Sequence, residues 1–313
     1  TYRAQRRGGR GVSGQSLKEE DYVKNLFIAS THDYVLFFTN TGRVHRKKGY
    51  LIPEAGRTAR GTNIVNILPL EQGERVTAML LTREFTDHEY LMMVTRGGTV
   101  KRTEKSAFRN IRAGGLRGLT LDEGDELIAV LETDGQANIL IATRDGMAIC
   151  FRESDVRPMG RTAVGVRGIK LRPGDQVIGA VQARLGTTLL TITENGYGKR
   201  TPIEEYIRSG GEPQHRGGFG LKGYQITEKT GKAAGVKMVE EDDDIMIISD
   251  DGTIIRMAAA DVNVYSRTAQ GVRVMRVSPE TKVISLARVP QESEEEETAS
   301  PADGQTQPAQ EEE

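Results

Sequence analysis

A repeat constrains the fold of this chain more than any other feature. An apolar stretch, a turn with glycine and a basic strand recur every 48 to 56 residues, a period that belongs to solenoids and propellers rather than to a single packed core. Five copies align: VLFFTNTGRVHRK from Val35, LMMVTRGGTVKR from Leu91, ILIATRDGMAICFR from Ile139, LLTITENGYGKR from Leu189 and IMIISDDGTIIR from Ile245. Each is an apolar run of strand length, a polar pair with glycine and a second short strand, the pattern of a β-hairpin whose glycine supplies the positive φ. The turn glycines are Gly42, Gly98, Gly146, Gly196 and Gly252. Four residues later stand Arg46, Arg102, Arg200 and Arg256, whereas the third copy has Cys150 there and Arg152 two residues on.

A second half follows each hairpin: a basic glycine-rich loop, an apolar strand, an acidic turn and another apolar strand. It reads RTAVGVRGIKLRPGDQVIGAV from Arg161, AGGLRGLTLDEGDELIAVL from Ala113, RTARGTNIVNILPLEQGERVTAML from Arg57 and RTAQGVRVMRVSPETKVISLA from Arg267, with a looser copy from His215. The opening RRGGRGVSGQSLKEEDYVKNLFIAS fits the same template. Units of this size, each offering four short strands, predict an all-β, propeller-like array of four-stranded blades over residues 1–290. Six second halves make six blades the natural count, and with five hairpins one blade is expected to be incomplete or completed by other residues.

Charge divides the chain unevenly. Residues 291–313 hold nine acidic groups and no basic one, so a net charge of −1 conceals a body carrying +8, which suits a polyanionic partner. That acidic stretch has no apolar periodicity and is expected to be a disordered tail, either a solubiliser or a competitor for the basic body. One cysteine excludes an internal disulfide, and no apolar run is long enough to span a bilayer, so the expected setting is cytoplasmic, away from membranes. No phosphate loop, HExxH or GxSxG occurs, and His32, His45, His88 and His215 are scattered. The aspartates at 242–244 precede a strand and read as a solvated turn, leaving no catalytic or metal residue to nominate.

The loops of such an array gather along one rim. The expected basic belt comprises Arg46, Lys47, Arg57, Arg60, Lys101, Arg102, Arg117, Arg161, Arg167, Lys199, Arg200, Arg216, Lys222, Arg256 and Arg267. Any one of these serves equally well to pair with a carboxylate; the recurrence, not the single residue, points to a phosphate backbone. The densest cluster is Gln5, Arg6, Arg7, Gly8, Gly9, Arg10 and Gly11. Three guanidinium forks there sit on a backbone with little side-chain bulk, able to approach phosphates closely.

This heptapeptide, QRRGGRG, resembles the gyrase A box that marks the C-terminal domain of the gyrase A protein. The similarity extends through THDYVLFF, NIVNILPLEQGERVTAML, GDELI, NGYGKRT and the acidic tail. It implies a six-bladed β-pinwheel in which neighbouring blades exchange strands, around whose rim duplex DNA wraps in a right-handed sense, allowing the holoenzyme to introduce negative supercoils. It further implies a non-catalytic domain, monomeric in isolation and without a cofactor. The holoenzyme's ATP and magnesium sites, its cleaving tyrosine, the rest of the gyrase A protein and the gyrase B protein all lie outside this chain. The related domain of topoisomerase IV, which usually has a degenerate box, and a propeller-like protein-interaction scaffold are the alternatives.

Overall fold

The computed structural model describes residues 12–13, 29–56, 59–207 and 211–289. The heptapeptide at 5–11, Arg57 and the acidic stretch 291–313 lie outside them. In chain order the strands are β1 Val12–Ser13, β2 Tyr34–Thr39, β3 Arg43–Lys48, β4 Val76–Thr82, β5 Tyr90–Thr95, β6 Thr99–Glu104, β7 Leu116–Arg117, β8 Leu127–Thr133, β9 Asn138–Thr143 and β10 Met147–Arg152. There follow β11 Val166–Arg167, β12 Val177–Ala183, β13 Thr188–Thr193, β14 Tyr197–Pro202, β15 Leu221–Lys222, β16 Ala233–Val239, β17 Asp244–Ser249, β18 Thr253–Ala258, β19 Val272–Arg273 and β20 Val283–Val289.

Among the described residues these make five four-stranded antiparallel sheets, β4-β2-β3-β7, β8-β5-β6-β11, β12-β9-β10-β15, β16-β13-β14-β19 and β20-β17-β18-β1. The five hairpins fall where the repeat predicts, and their turn glycines have φ of 78° to 89°. At Gly98 a Cβ would also lie 2.8 Å from the carbonyl oxygen of Ile169, so both the backbone conformation and the space demand glycine.

The fourth strand of each sheet is two residues long and, in the first four sheets, comes from the following unit. Thus β7 pairs with β3, β11 with β6, β15 with β10 and β19 with β14. The carbonyl of the turn glycine catches the chain as it leaves: Gly168 N–H donates to Gly98 O at 2.8 Å and Gly223 N–H to Gly146 O at 2.7 Å. Strand β1 completes the last sheet, with Val12 opposite Ile254 and Ser13 opposite Thr253. That strand lies near the chain's start, so its pairing brings the first unit against the last sheet. Among the described residues the first unit thus contributes one outer strand.

Strands β4, β8, β12, β16 and β20 face one another around the central axis. At one register they carry Ala78, Ala129, Gly179, Gly235 and Ser285, opposite Phe38, Val94, Ala142, Ile192 and Ile248. Small side chains let five strands converge. A Cβ on Gly179 would lie 3.2 Å from Val236 and one on Gly235 3.4 Å from Leu286. The hairpins are buried on both faces because successive sheets stack. Leu36, Phe38 and Val44 meet Leu91 and Met93; Leu190 and Ile192 meet Ile245, Ile247 and Ile255. This is why VLFF, LMMV and IMII are continuous apolar runs rather than alternating ones.

In the first, second and fourth hairpins the arginine four residues after the turn glycine reaches the next unit. Arg46 Nη1 donates to Arg109 O at 2.9 Å, and Arg200 Nε to Val262 O at 2.7 Å, each just past a 3-10 turn of the next unit. Arg102 pairs at 3.5 Å with Glu153, which starts the corresponding turn. In the third copy Cys150 packs with Ile203 and Tyr206 of the equivalent turn, so an apolar contact replaces the guanidinium and the exception acquires a reason. Burial pushes the Cys150 thiol up to about 12. We expect iodoacetamide to leave the native protein unlabelled at about pH 8 and to alkylate it once unfolded; intact-mass measurement with and without denaturant checks this.

Candidate nucleic-acid interface

Each exchanged strand follows a glycine with positive φ, Gly115, Gly165, Gly220 or Gly271. Its first residue is half-buried and its second exposed, in β7, β11, β15 and β19 alike. The exposed residues are Arg117, Arg167, Lys222 and Arg273. Each of these four sheets therefore presents one cation at the same point of its outer edge, because period-two alternation on a two-residue strand leaves one side chain facing out.

The basic loops preceding these strands are tied to one another around the rim. Thr120 N–H donates to Ala163 O at 3.2 Å, Lys170 N–H to Gly218 O at 2.8 Å and Gln225 N–H to Ala269 O at 3.3 Å. These three bonds are equivalent: in each, the chain leaving one outer strand clips the loop of the next. Arg216 adds a second tie, donating from Nη1 to Arg167 O at 3.0 Å and from Nε to Asp155 O at 2.9 Å. Arg267 makes the matching bond from Nη1 to Lys222 O. Arg161, Arg216 and Arg267 remain half-exposed, so the guanidinium groups of Arg216 and Arg267 both stitch the rim and face solvent.

Four residues expected on the belt are turned inward. Lys101 and Lys199 are 0% exposed, and Arg102 and Arg200 are also buried. Strands β6 and β14 lie inside their sheets, so their side chains alternate between two packed faces and never reach the rim. Lys101 Nζ donates to Gly160 O at 3.0 Å, Arg161 O at 2.5 Å and Gly118 O. Lys199 Nζ donates to Ser266 O at 2.8 Å and Arg267 O at 2.5 Å. Both lysines thus hold up the basic loops from beneath. Burial lowers the Lys101 pKa to about 8 and the Lys199 pKa to about 7. Arg46 is half-buried over the Tyr34 ring at 4.9 Å, and Arg256 pairs with Asp244 at 2.6 Å. Lys47 is half-exposed and Arg60 exposed. Arg273 was missed by the sequence reading, although its signal, Gly-Val-Arg, is the one that marks Arg167.

Among the described residues no group of His, Cys, Asp or Glu is placed to hold a metal, and no helix is long and apolar enough to cross a membrane. The sequence matches the family described as DNA gyrase C-terminal domain, beta-propeller, over residues 1–30, 33–83, 89–134, 137–184, 187–240 and 243–290. The chain belongs to the DNA gyrase C-terminal domain family. Its six matched segments are the six units of the repeat, and five of them supply the five complete sheets among the described residues.

The DNA gyrase A protein of Clostridium acetobutylicum is 43% identical over 295 residues, covering 94% of this chain and 35% of that protein. Its Staphylococcus aureus MRSA252 counterpart is 44% identical over 299 residues, 95% of this chain and 33% of its own length. The chain thus spans about a third of these relatives and corresponds to their non-catalytic C-terminal domain. A solved DNA gyrase A C-terminal domain superposes with a TM-score of 0.82 at 26% identity, covering 92% of both chains. The C-terminal domain of DNA topoisomerase IV superposes at 0.73 and 25% identity, covering 88% of this chain and 84% of that one.

Proposed function

We propose that this domain binds duplex DNA without sequence specificity along its outer rim, bends it and wraps it in a right-handed sense, giving gyrase its capacity for negative supercoiling. Its partners in this reading are duplex DNA, the remainder of the gyrase A protein and the gyrase B protein, in the bacterial cytoplasm, with ATP and magnesium acting elsewhere in the holoenzyme. The observation that carries it is the equivalent placement of Arg117, Arg167, Lys222 and Arg273 on four successive sheets, joined by hydrogen-bonded basic loops. Smoothly bending a short site costs on the order of 1–6 kcal/mol, so an arc of contacts, not one cluster, has to offset it. Glycine close to each cation keeps the backbone accessible to phosphate oxygens. Family membership favours this use of the rim over a protein-interaction scaffold.

Sealing a nicked circle in the presence of the domain tests binding, wrapping and handedness together. The sealed circle should have a raised linking number, since a right-handed wrap traps positive writhe. Replacing Arg6, Arg7 and Arg10 together by alanine should abolish the shift while leaving the thermal transition in place. In the reconstituted holoenzyme the same change should remove negative supercoiling and leave relaxation. An unshifted circle with the unaltered domain, or full supercoiling by the triple variant, would sink the reading.

A further inference from the structure

Phe219 is 43% exposed, and among the described residues no other phenylalanine is exposed. It stands at the tip of the loop that feeds β15, between Gly218 and Gly220, with Arg216 and Lys222 on either side in sequence. The loop cannot fold the ring away. Gly217 N–H donates to Gly168 O at 2.6 Å, and Gly218 O accepts from Lys170 N–H at 2.8 Å. Gly220, at φ 76°, packs so tightly on the Ala148 backbone that no Cβ fits. Lys170 Nζ lies 4.9 Å from the centroid of the Phe219 ring. The result is a narrow, anchored apolar tip set among cations, and the equivalent tip one sheet earlier carries Val164, also exposed at 38%.

A lone exposed apolar side chain calls for no explanation, but one fixed at the crest of a cationic track has a physical use. Basic groups bring a duplex against the surface, and an apolar wedge held among them enters between base pairs from the minor groove, unstacking one step and kinking the helix. Flanking glycines leave room for the sugar-phosphate strands to straddle the ring. Resting on the DNA reading above, we propose that Phe219 inserts at a base step of the wrapped duplex and concentrates part of the bend there, so that the path around the rim is kinked at this sheet rather than smoothly curved. The domain would then favour duplexes that already unstack cheaply at the point meeting Phe219.

The test compares affinity for an intact short duplex and for the same duplex carrying one central abasic site. Stacking of an aromatic side chain on a base is strong enough to expect about a tenfold preference for the abasic duplex. Phe219→Ala should bind both duplexes equally with an unchanged melting temperature, and Phe219→Trp should restore the preference. Arg167→Ala should weaken both duplexes alike, as loss of a phosphate contact does. If Phe219→Ala keeps the preference, or the unaltered domain has none while binding both duplexes, the wedge is wrong. If the unaltered domain binds neither duplex at low salt, the DNA reading itself fails and the wedge with it.

Discussion

Raising monovalent salt from about 50 to about 200 mM should weaken duplex binding by this domain by roughly 10⁵-fold, with log affinity falling against log salt at a slope near −9. The slope follows from the rim. Arg117, Arg167, Lys222 and Arg273 project from the sheet edges and Arg161, Arg216 and Arg267 from the loops; Arg6, Arg7 and Arg10 extend the set at the chain's start. Each phosphate neutralised releases condensed counterions and contributes about −0.9 to the slope. Replacing the four edge residues by alanine should flatten the slope to about −5, with little change in stability because exposed side chains are removed. Fluorescence anisotropy across a salt series measures both. A slope near zero would remove the phosphate track, and a quadruple variant with the original slope would show that the edge cations do not touch DNA.

That experiment separates residues which the sequence alone could not. Reading the chain as strand, turn and strand places the hairpins correctly, because a continuous apolar run followed by a turn glycine is a local signal. It also locates the basic loops, whose glycines lie at fixed offsets. What it misses is which cation faces out. Lys101 and Arg167 both follow a glycine in a basic stretch, yet Lys101 sits on an inner strand flanked by two others and Arg167 on an outer strand flanked by one. The difference arises from strand exchange, a pairing between segments separated by a whole unit. A two-residue strand such as Val166–Arg167 has too little length to display any periodicity of its own.

Arg273 and Cys150 illustrate the same limit from opposite sides. Arg273 escapes notice although RTAQGVR from Arg267 repeats RTAVGVR from Arg161, and the outer strands then place it level with Arg117 and Arg167. Cys150 breaks the arginine pattern, and the break becomes intelligible only when Ile203 and Tyr206 of the next unit are seen against it. Arg46, Arg102 and Arg200 therefore serve to join neighbouring units rather than to face the rim. Within one repeat, adjacent cations divide between these tasks according to the face their strand turns toward solvent.

The buried lysines make the division testable. Replacing Lys199 by methionine should destabilise the domain by about 2–4 kcal/mol, because the carbonyls of Ser266 and Arg267 lose their donor, even though methionine removes a charge that is costly to bury. It should also weaken DNA binding, since those carbonyls belong to the loop carrying Arg267. The effect depends on pH in a defined direction. Burial lowers the Lys199 pKa to about 7 in the folded domain, against about 10.4 in an unfolded chain. Between these values the unfolded chain holds the extra proton, so through this group the stability of the unaltered domain falls as pH drops across that window and rises as pH climbs. A neutral amine still offers two N–H groups, enough for the two carbonyls that Lys199 serves. Lys101 serves three and needs the ammonium to satisfy them all. The stability gap between the unaltered domain and Lys199→Met should accordingly widen from about pH 6 to about pH 9, and more steeply than the gap for Lys101→Met. Urea titrations at several pH values read both gaps. A gap that stays constant or narrows as pH rises would mean that Lys199 remains charged in its cage, held there by its carbonyls against the cost of burial.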